Sequence, residues 1–302
     1  MANLRMQHEP NQTGTSAFAY QNGWETAAAD KTLSLPESQP IRVLCWSDVQ
    51  YPFLDKQADS VLDSFIQEFK PDVAILNGDG LDAYSISKFT PNPERRERLA
   101  DDIAGWRSYL EGKSSLLGSH CTLHYNGGNH EDRIRKYIEA NAPQLAGLPG
   151  LDIPTLLGLS SGTEDPDPWS YTPYWNPMAH GGVPGYSLHG VLFTHGIRVA
   201  RWSGMSAKLH WEKFGGSGVI GHTHRLGEFY HRDFRGEHQD KWIEGGCMCS
   251  LQPEYDPYPD WQNGFVAGYM WPRQDNQTWH YDLRTVPIVD GECVWEGRRI
   301  TA

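Results

Sequence analysis

Five apolar runs, each closed by a short polar cluster, constrain this chain more than any other feature. Val43-Leu44-Cys45-Trp46 leads into Asp48-Val49-Gln50, and Val73-Ala74-Ile75-Leu76 into Gly78-Asp79-Gly80-Leu81-Asp82. Leu123-His124-Tyr125 precedes Gly128-Asn129-His130-Glu131, Val191-Leu192-Phe193 precedes His195, and Val219-Ile220 precedes Gly221-His222-Thr223-His224. Short apolar runs bounded by turn residues read as buried strands. Polar groups just past strand ends lie where sheet-based folds carry their ligand sites. Carboxylate, amide and imidazole together form a donor set for hard-to-borderline divalent cations. One such cluster would mean little; the recurrence points to a site.

The segments between the clusters supply the rest of an α/β architecture. Ala58, Val61, Leu62, Phe65, Ile66 and Phe69 recur at helical spacing, and Pro71 stops that helix. Strand, helix and strand in succession imply parallel neighbours joined by a crossover. A second helix is expected from Pro93 to about Leu110, with Leu99, Ile103, Trp106 and Leu110 on one face. A third is expected from the Glu131-Asp132 turn to Pro143, its acidic first turn suiting the helix dipole. Ser203 to Phe214 reads as a further helix, and Glu228 to Val294 as strands separated by turns. Residues 1–39 are rich in Gln, Asn, Thr, Ser and Ala without a sustained period, and read as a mobile arm ahead of one domain over 40–302. Residues 144–188 mix Pro and Gly with Trp169, Tyr171, Tyr174 and Trp175, and read as a long irregular insertion, ordered by its aromatics and placed to act as a lid.

Bulk properties exclude several classes. No apolar run approaches the ~18 residues of a membrane helix, and the N-terminus lacks the apolar stretch of a secretory signal. Cys45, Cys121, Cys247, Cys249 and Cys293 are odd in number and widely spread, so a reduced, cytoplasmic protein is expected. Cys247-Met248-Cys249 lacks the two-residue gap of zinc knuckles and reads as strand before it reads as a soft-metal site. A net charge of −12, with acids scattered, counts against a broad basic face for nucleic acid. It counts less against an enzyme whose bound cations are themselves the strongest local positive charge.

A two-metal hydrolytic site needs one carboxylate that touches both ions, terminal ligands for each, and an open edge for phosphate oxygens. Asp79, in a glycine-flanked turn, is the natural bridge. Asp48 and His224 suit one ion; Asn129, His195 and His222 suit the other. The order D-x-(H), GDxxD, GNH(D/E), H, GHxH over roughly residues 41 to 250 resembles that of the calcineurin-like metallophosphoesterases. Its setting also resembles phosphoesterases of bacteria and their phages. The resemblance implies a two-sheet β-sandwich flanked by helices, with a binuclear centre at the C-terminal ends of strands. It implies hydrolysis of a phosphomonoester or phosphodiester by attack of a metal-activated hydroxide. By position, Asp48, Asp79 and His224 would hold one metal, and Asp79, Asn129, His195 and His222 the other. His130 would stand near the leaving group as proton donor or transition-state hydrogen bonder, and Asp82 would orient it or simply form the turn.

Gln50 stands where the family usually has histidine. An amide oxygen suits a hard ion better than zinc or iron, which tilts the expected pair of divalent ions toward Mn2+ over Mg2+, Zn2+ or Fe and weakens the first site. Loss of that imidazole also admits a catalytically weakened scaffold with the same fold; survival of every other ligand position speaks against it. Arg133 and Arg225 are candidates to grip substrate phosphate, or ordinary charges. Tyr84, Trp202 and the insertion's aromatics would line a cleft for bases or sugars, or pack a small core of their own. His124, His180, His189, His210, His231, His238 and His280 fit no family position and read as structural. Ala83-Tyr84 after GDxxD, instead of Arg-Gly, speaks against the protein serine/threonine phosphatases. A nucleotide, nucleic acid or small metabolite is the expected substrate, with a nuclease related to the repair exonucleases as the alternative, no membrane partner, and an oligomer allowed.

Overall fold

In α1 (Lys56–Phe69), Asp55 caps the helix by accepting the N–H groups of Gln57 and Ala58 at 2.9 and 3.0 Å. Lys70 ends it in the left-handed region just before Pro71. The buried face expected from its spacing is the one observed: Phe65 is fully buried against the rings of Phe69, Phe265 and Trp295. Truncation of such a side chain to alanine costs about 3–5 kcal/mol. This computed structural model describes residues 39–302 except 89–91, 93, 95–97, 160–167, 175–184, 237–238, 254–256 and 274–278. The expected N-terminal arm up to residue 38, Trp175, His180 and His238 lie outside the described residues.

In chain order β1 (Ile41–Trp46), α1, β2 (Val73–Asn77), α2 (Leu99–Leu117), β3 (Thr122–Asn126), α3 (Asp132–Asn141), α4 (Ile153–Leu157) and β4 (Trp169–Thr172) build the first half. Then come β5 (Tyr186–Leu188), β6 (Val191–Thr194), α5 (Met205–Phe214), β7 (Ser217–Ile220), β8 (Leu226–Arg232) and β9 (Gln239–Gly245). The chain closes with β10 (Gly264–Pro272), β11 (Trp279–Pro287), β12 (Glu292–Trp295) and β13 (Arg298–Thr301). One sheet has the order β11-β10-β1-β2-β3-β4 and the other β5-β6-β7-β9-β8; β12 and β13 form a separate hairpin. β1 to β4 are mutually parallel, as are β6, β7 and β9, while the outer strands β10, β11, β5 and β8 pair antiparallel.

Strand alternation sorts the side chains into layers. Leu44, Trp46, Ala74 and Leu76 share a core with Val61, Phe65, Trp106 and Leu110 of α1 and α2. Leu192, Ile220 and Trp242 pack with Ala207, Trp211 and Phe214 of α5. Val43, Cys45, Val73 and Ile75, equally buried, point the other way, as do Val191, Phe193, Val219 and Ile243. Burial on both faces explains why these strands are continuous apolar runs. The result is two stacked sheets with helices outside.

The sheets are tied where the ligand clusters begin. Asn126 donates its amide N–H groups to Asn77 Oδ1 at 2.8 Å and to the Phe193 carbonyl at 3.0 Å; Asn77 donates to the carbonyls of Thr194 and Val219 at 2.8 and 3.3 Å. All these strand ends are thereby held at one edge of the sandwich.

Two expectations change. The segment 144–188 is not a separate irregular insertion in its described parts: α4 carries a capped turn, β4 after it extends the first sheet, and β5 edges the second. Trp169 and Tyr171 pack against Trp46 and Tyr125, so they belong to the main core. Alternation over four residues between prolines is too short to stand out from turn. The second helix begins at Leu99 and runs on to Leu117; in its extension the buried Lys113 pairs with Asp59 at 2.8 Å. Among the described residues, no helix is long and apolar enough to cross a membrane, and all five cysteines are buried free thiols.

Candidate metal centre

Five of the expected ligand residues have backbones in the left-handed region: Asp48, Gln50, Asp79, His222 and His224, with φ of 54, 49, 51, 69 and 58°. Each such residue costs of order 1–3 kcal/mol unless its surroundings hold it. Here neighbouring loops hold them. Asp48 N–H donates to Gly78 O at 3.0 Å, Gln50 N–H to Asp79 O at 2.9 Å and Tyr51 N–H to Gly80 O at 2.7 Å. Glu131, fully buried, accepts the N–H groups of Asp79, Leu81 and Gly128 at 3.1, 2.9 and 2.7 Å and the Tyr125 hydroxyl at 2.6 Å. Gly78 is obligatory: at φ +91° an added Cβ would stand 2.5 Å from the His195 ring.

Those loops bring the ligand atoms together. Asp79 Oδ2 is 3.0 Å from His195 Nε2 and 3.6 Å from His130 Nε2, and Asp79 Oδ1 accepts the His130 N–H at 2.9 Å. Asn129 Oδ1 lies 3.2 Å from His195 Nε2, and the donor atoms of Asp79, His195 and His222 fall within 4.8 Å of one another. On the other side, Asp48 Oδ1 is 3.1 Å from His224 Nε2, with Gln50 Nε2 at 3.0 Å from the same nitrogen. The Asp48 carboxylate also accepts the His222 N–H at 2.9 Å. His195 donates from Nδ1 to the Asn77 carbonyl at 2.9 Å, which turns Nε2 toward Asp79. That is the outer-shell arrangement of a metal-binding histidine.

Charge follows the same geometry. Burial would raise the Asp79 carboxyl, but the imidazoles of His130 and His195 hold it well below the usual carboxylate range. Burial would raise Asp48 too, and His224 outweighs it. Burial opposes the imidazolium forms of His195 and His224, yet Asp79 lifts the first to about 10 and Asp48 the second to about 10. His222, desolvated and facing His195, falls to about 4. Two carboxylates, two amides and three imidazoles that converge in this way fit divalent cations, which would take the place of the protons on His195 and His224.

Beside the cluster stands His130. Its Nε2 lies 2.8 Å from Arg133 Nη2; a guanidinium only donates, so Nε2 accepts and the ring proton sits on Nδ1. Nδ1 is 3.2 Å from Asp82 Oδ2, though too bent for a formal hydrogen bond. Arg133 is itself held by Asp82, through its carbonyl at 2.8 Å and its Oδ1 at 3.2 Å.

The remaining candidates are placed differently. Arg225 is buried, and its terminal nitrogens donate to the carbonyls of Arg201, at 2.8 Å, and Ala200. Its charge therefore serves the 200–201 loop, not an incoming phosphate. The Tyr84 hydroxyl accepts the Asn92 N–H at 2.7 Å while its ring meets Phe53 edge-on. Trp202 is exposed, under the guanidinium of Arg201. Sequence reading missed Glu131 as an anchor of the loops; an acid directly after Asn129-His130 was the available signal. Tyr174, one of the aromatics expected either to line a cleft or to pack a small core, has its ring centroid 6.0 Å from that of His195.

No protein-family model matches the chain. Among curated proteins it is similar to the Gene 54 protein of Mycobacterium phage L5, 28% identical over 268 residues, covering 85% of this chain and 97% of the relative. The Gene 54 protein of Mycobacterium phage D29 is 29% identical over 275 residues, covering 84% and 98%. Among solved structures, a metallophosphoesterase from Sphaerobacter thermophilus has 15% identity and a TM-score of 0.37, over 81% of this chain and 88% of that one. A dimetal phosphatase from Danio rerio has 11% and 0.38, over 83% and 99%. Vacuolar protein sorting 29 from Cryptosporidium parvum has 12% and 0.37, over 82% and 99%.

Proposed function

We propose that this chain is a metal-dependent phosphoesterase of the calcineurin-like kind. The observation that carries the reading is the convergence of Asp48, Gln50, Asp79, Asn129, His195, His222 and His224 at the ends of five strands, with His130 beside Asp79. Asp48, Gln50, Asp79 and His224 would hold one divalent cation and Asp79, Asn129, His195 and His222 a second, with Mn2+ ahead of Mg2+, Zn2+ and Fe. Such ions, when bound, polarise phosphoryl oxygens and acidify a water.

The chain's own groups do the rest. Asp79, kept anionic, supplies charge common to both proposed cation positions. His130 holds its proton on Nδ1 against Asp82 and presents Nε2 to the reacting side, where Arg133 now occupies it. Once Arg133 turns to a phosphate oxygen, Nε2 can take up a proton from solvent and pass it to the leaving oxygen, which returns the ring to its neutral form. The substrate is a phosphate ester of a nucleotide, a nucleic acid or a small metabolite, and a screen over plasmid, single-stranded DNA, cyclic nucleotides and sugar phosphates separates them. Hydrolysis of mono- and bis-nitrophenyl phosphate with added Mn2+, lost in Asp79→Ala, is the expected result. No turnover with any divalent ion would leave the fold as a scaffold, the reading that glutamine at position 50 favours.

A further inference from the structure

The imidazole of His224 has two occupied sides. Nε2 faces Asp48 and Gln50 in the centre described above. Nδ1 points the opposite way, to Cys249 Sγ at 3.8 Å. Cys247 joins it: the ligand atoms of His224, Cys247 and Cys249 all lie within 4.8 Å of one another, and all three residues are buried. The turn that carries the sulfurs is fixed on every side. Met248 N–H donates to the carbonyls of Ser47 and Asp48, both at 3.2 Å, and Cys247 N–H to Gln262 O at 3.1 Å. Asn263 Nδ2 donates to the carbonyls of Cys247 and Cys249 at 3.2 and 2.9 Å and lies 3.9 Å from Cys247 Sγ.

We propose that Cys247, Cys249 and His224 Nδ1 form a second cation site, distinct from the carboxylate-rich centre, for a borderline-to-soft ion of the Zn2+ and Cd2+ class. Two sulfurs and an imidazole are donors such ions prefer and Mn2+ or Mg2+ does not. Bond lengths of ~2.3 Å to sulfur and ~2.0–2.1 Å to nitrogen put tetrahedral ligands roughly 3.5–3.8 Å apart. His224 and Cys249 already stand at that separation, and small rotations bring in Cys247. On binding, the two thiol protons leave to solvent and two sulfur–metal bonds form. A neutral imidazole has one lone pair to give, so a cation here competes with the first hydrolytic site for His224.

The test is titration of the whole protein with Co2+, followed by the thiolate-to-cobalt charge-transfer band in the near ultraviolet. The expected result is a band saturating at a single equivalent in the wild type and in Cys121→Ser, and lost in Cys247→Ser and Cys249→Ser. Mn2+ bound beforehand should be displaced as the band grows. A wild type without the band, or a band kept in both Cys247→Ser and Cys249→Ser, overturns the proposal. If those variants do not fold, cadmium NMR of the wild type decides, since the shift reports sulfur ligation: two sulfurs support the site and none overturns it. None of these readings depends on turnover, so failure here and failure of the hydrolytic reading are separate results.

Discussion

On the proposed reading, Gln50 would set the character of the first cation site. Its amide holds no charge and does not titrate, so the charge that attracts an ion there comes from Asp48 and Asp79 alone. Gln50→His should therefore raise Zn2+ or Fe occupancy at that site, read as metal content after identical dialysis of both proteins. Equal occupancy would place Gln50 outside the coordination sphere. His130 is tested by leaving group. A nitrophenolate departs with little help, whereas an alkoxide needs a proton. His130→Gln should lower kcat by about 10²–10⁴-fold on alkyl phosphate esters, and by clearly less on nitrophenyl phosphate, with metal content unchanged. Equal losses on the two substrates would remove His130 from proton transfer.

At the scale of elements, two buried glutamates do the same task in the two halves. Glu131, just ahead of α3, gathers the loops after β2 and β3. Glu244, at the end of β9, accepts the Ser206 and Ala207 N–H groups at the start of α5, at 3.0 and 3.1 Å, and the Thr223 hydroxyl between His222 and His224 at 2.9 Å. Each ties a helix start to a ligand loop whose backbone would otherwise relax from positive φ. Glu131→Gln puts an amide N–H against N–H donors and removes an acceptor. It should cost about 3 kcal/mol in urea unfolding and weaken metal binding by about 10–100-fold. Full stability with full metal affinity would show the loops to be self-supporting.

For the whole molecule, acid and metal act on the same edge of the sandwich. Asn126 spends both amide hydrogens on Asn77 and Phe193, so its oxygen faces His124 Nε2 at 3.1 Å; Ser170 Oγ lies 2.7 Å from Nδ1. Burial holds His124 down to about 4 from an ordinary 6.5. Between those values the unfolded chain binds the extra proton. Stability from neutral His124 is therefore complete above 6.5 and is lost as pH falls toward 4, by on the order of 3 kcal/mol. Urea unfolding near pH 7 and near pH 5 should show a smaller loss in His124→Gln than in the wild type; parallel losses would exonerate the histidine. Metal acts in the opposite sense, because a cation that binds only the folded chain stabilises it by about 2.7 kcal/mol at a hundredfold excess over Kd. Thermal unfolding should shift upward with Mn2+ and downward again on chelation, and neither shift should survive in Asp79→Asn.

The sequence by itself determined most of the strands, the first helix and which polar residues converge just past the strand ends. Those features are local: alternation, helical spacing, and glycine or proline at a strand end act on residues a few positions apart. The edge strand at Trp169 was too short for that signal and took its burial from Trp46, more than a hundred positions away. Only the tertiary structure decided partners. It committed Arg225 to carbonyls of Ala200 and Arg201, set Arg133 on His130, and made Glu131 an anchor. It also turned the far side of His224 to two cysteines that the chain's pattern presents as strand. Hydrogen bonds and ion pairs depend on distance in space, and no periodicity along the chain records which distant group a side chain will meet.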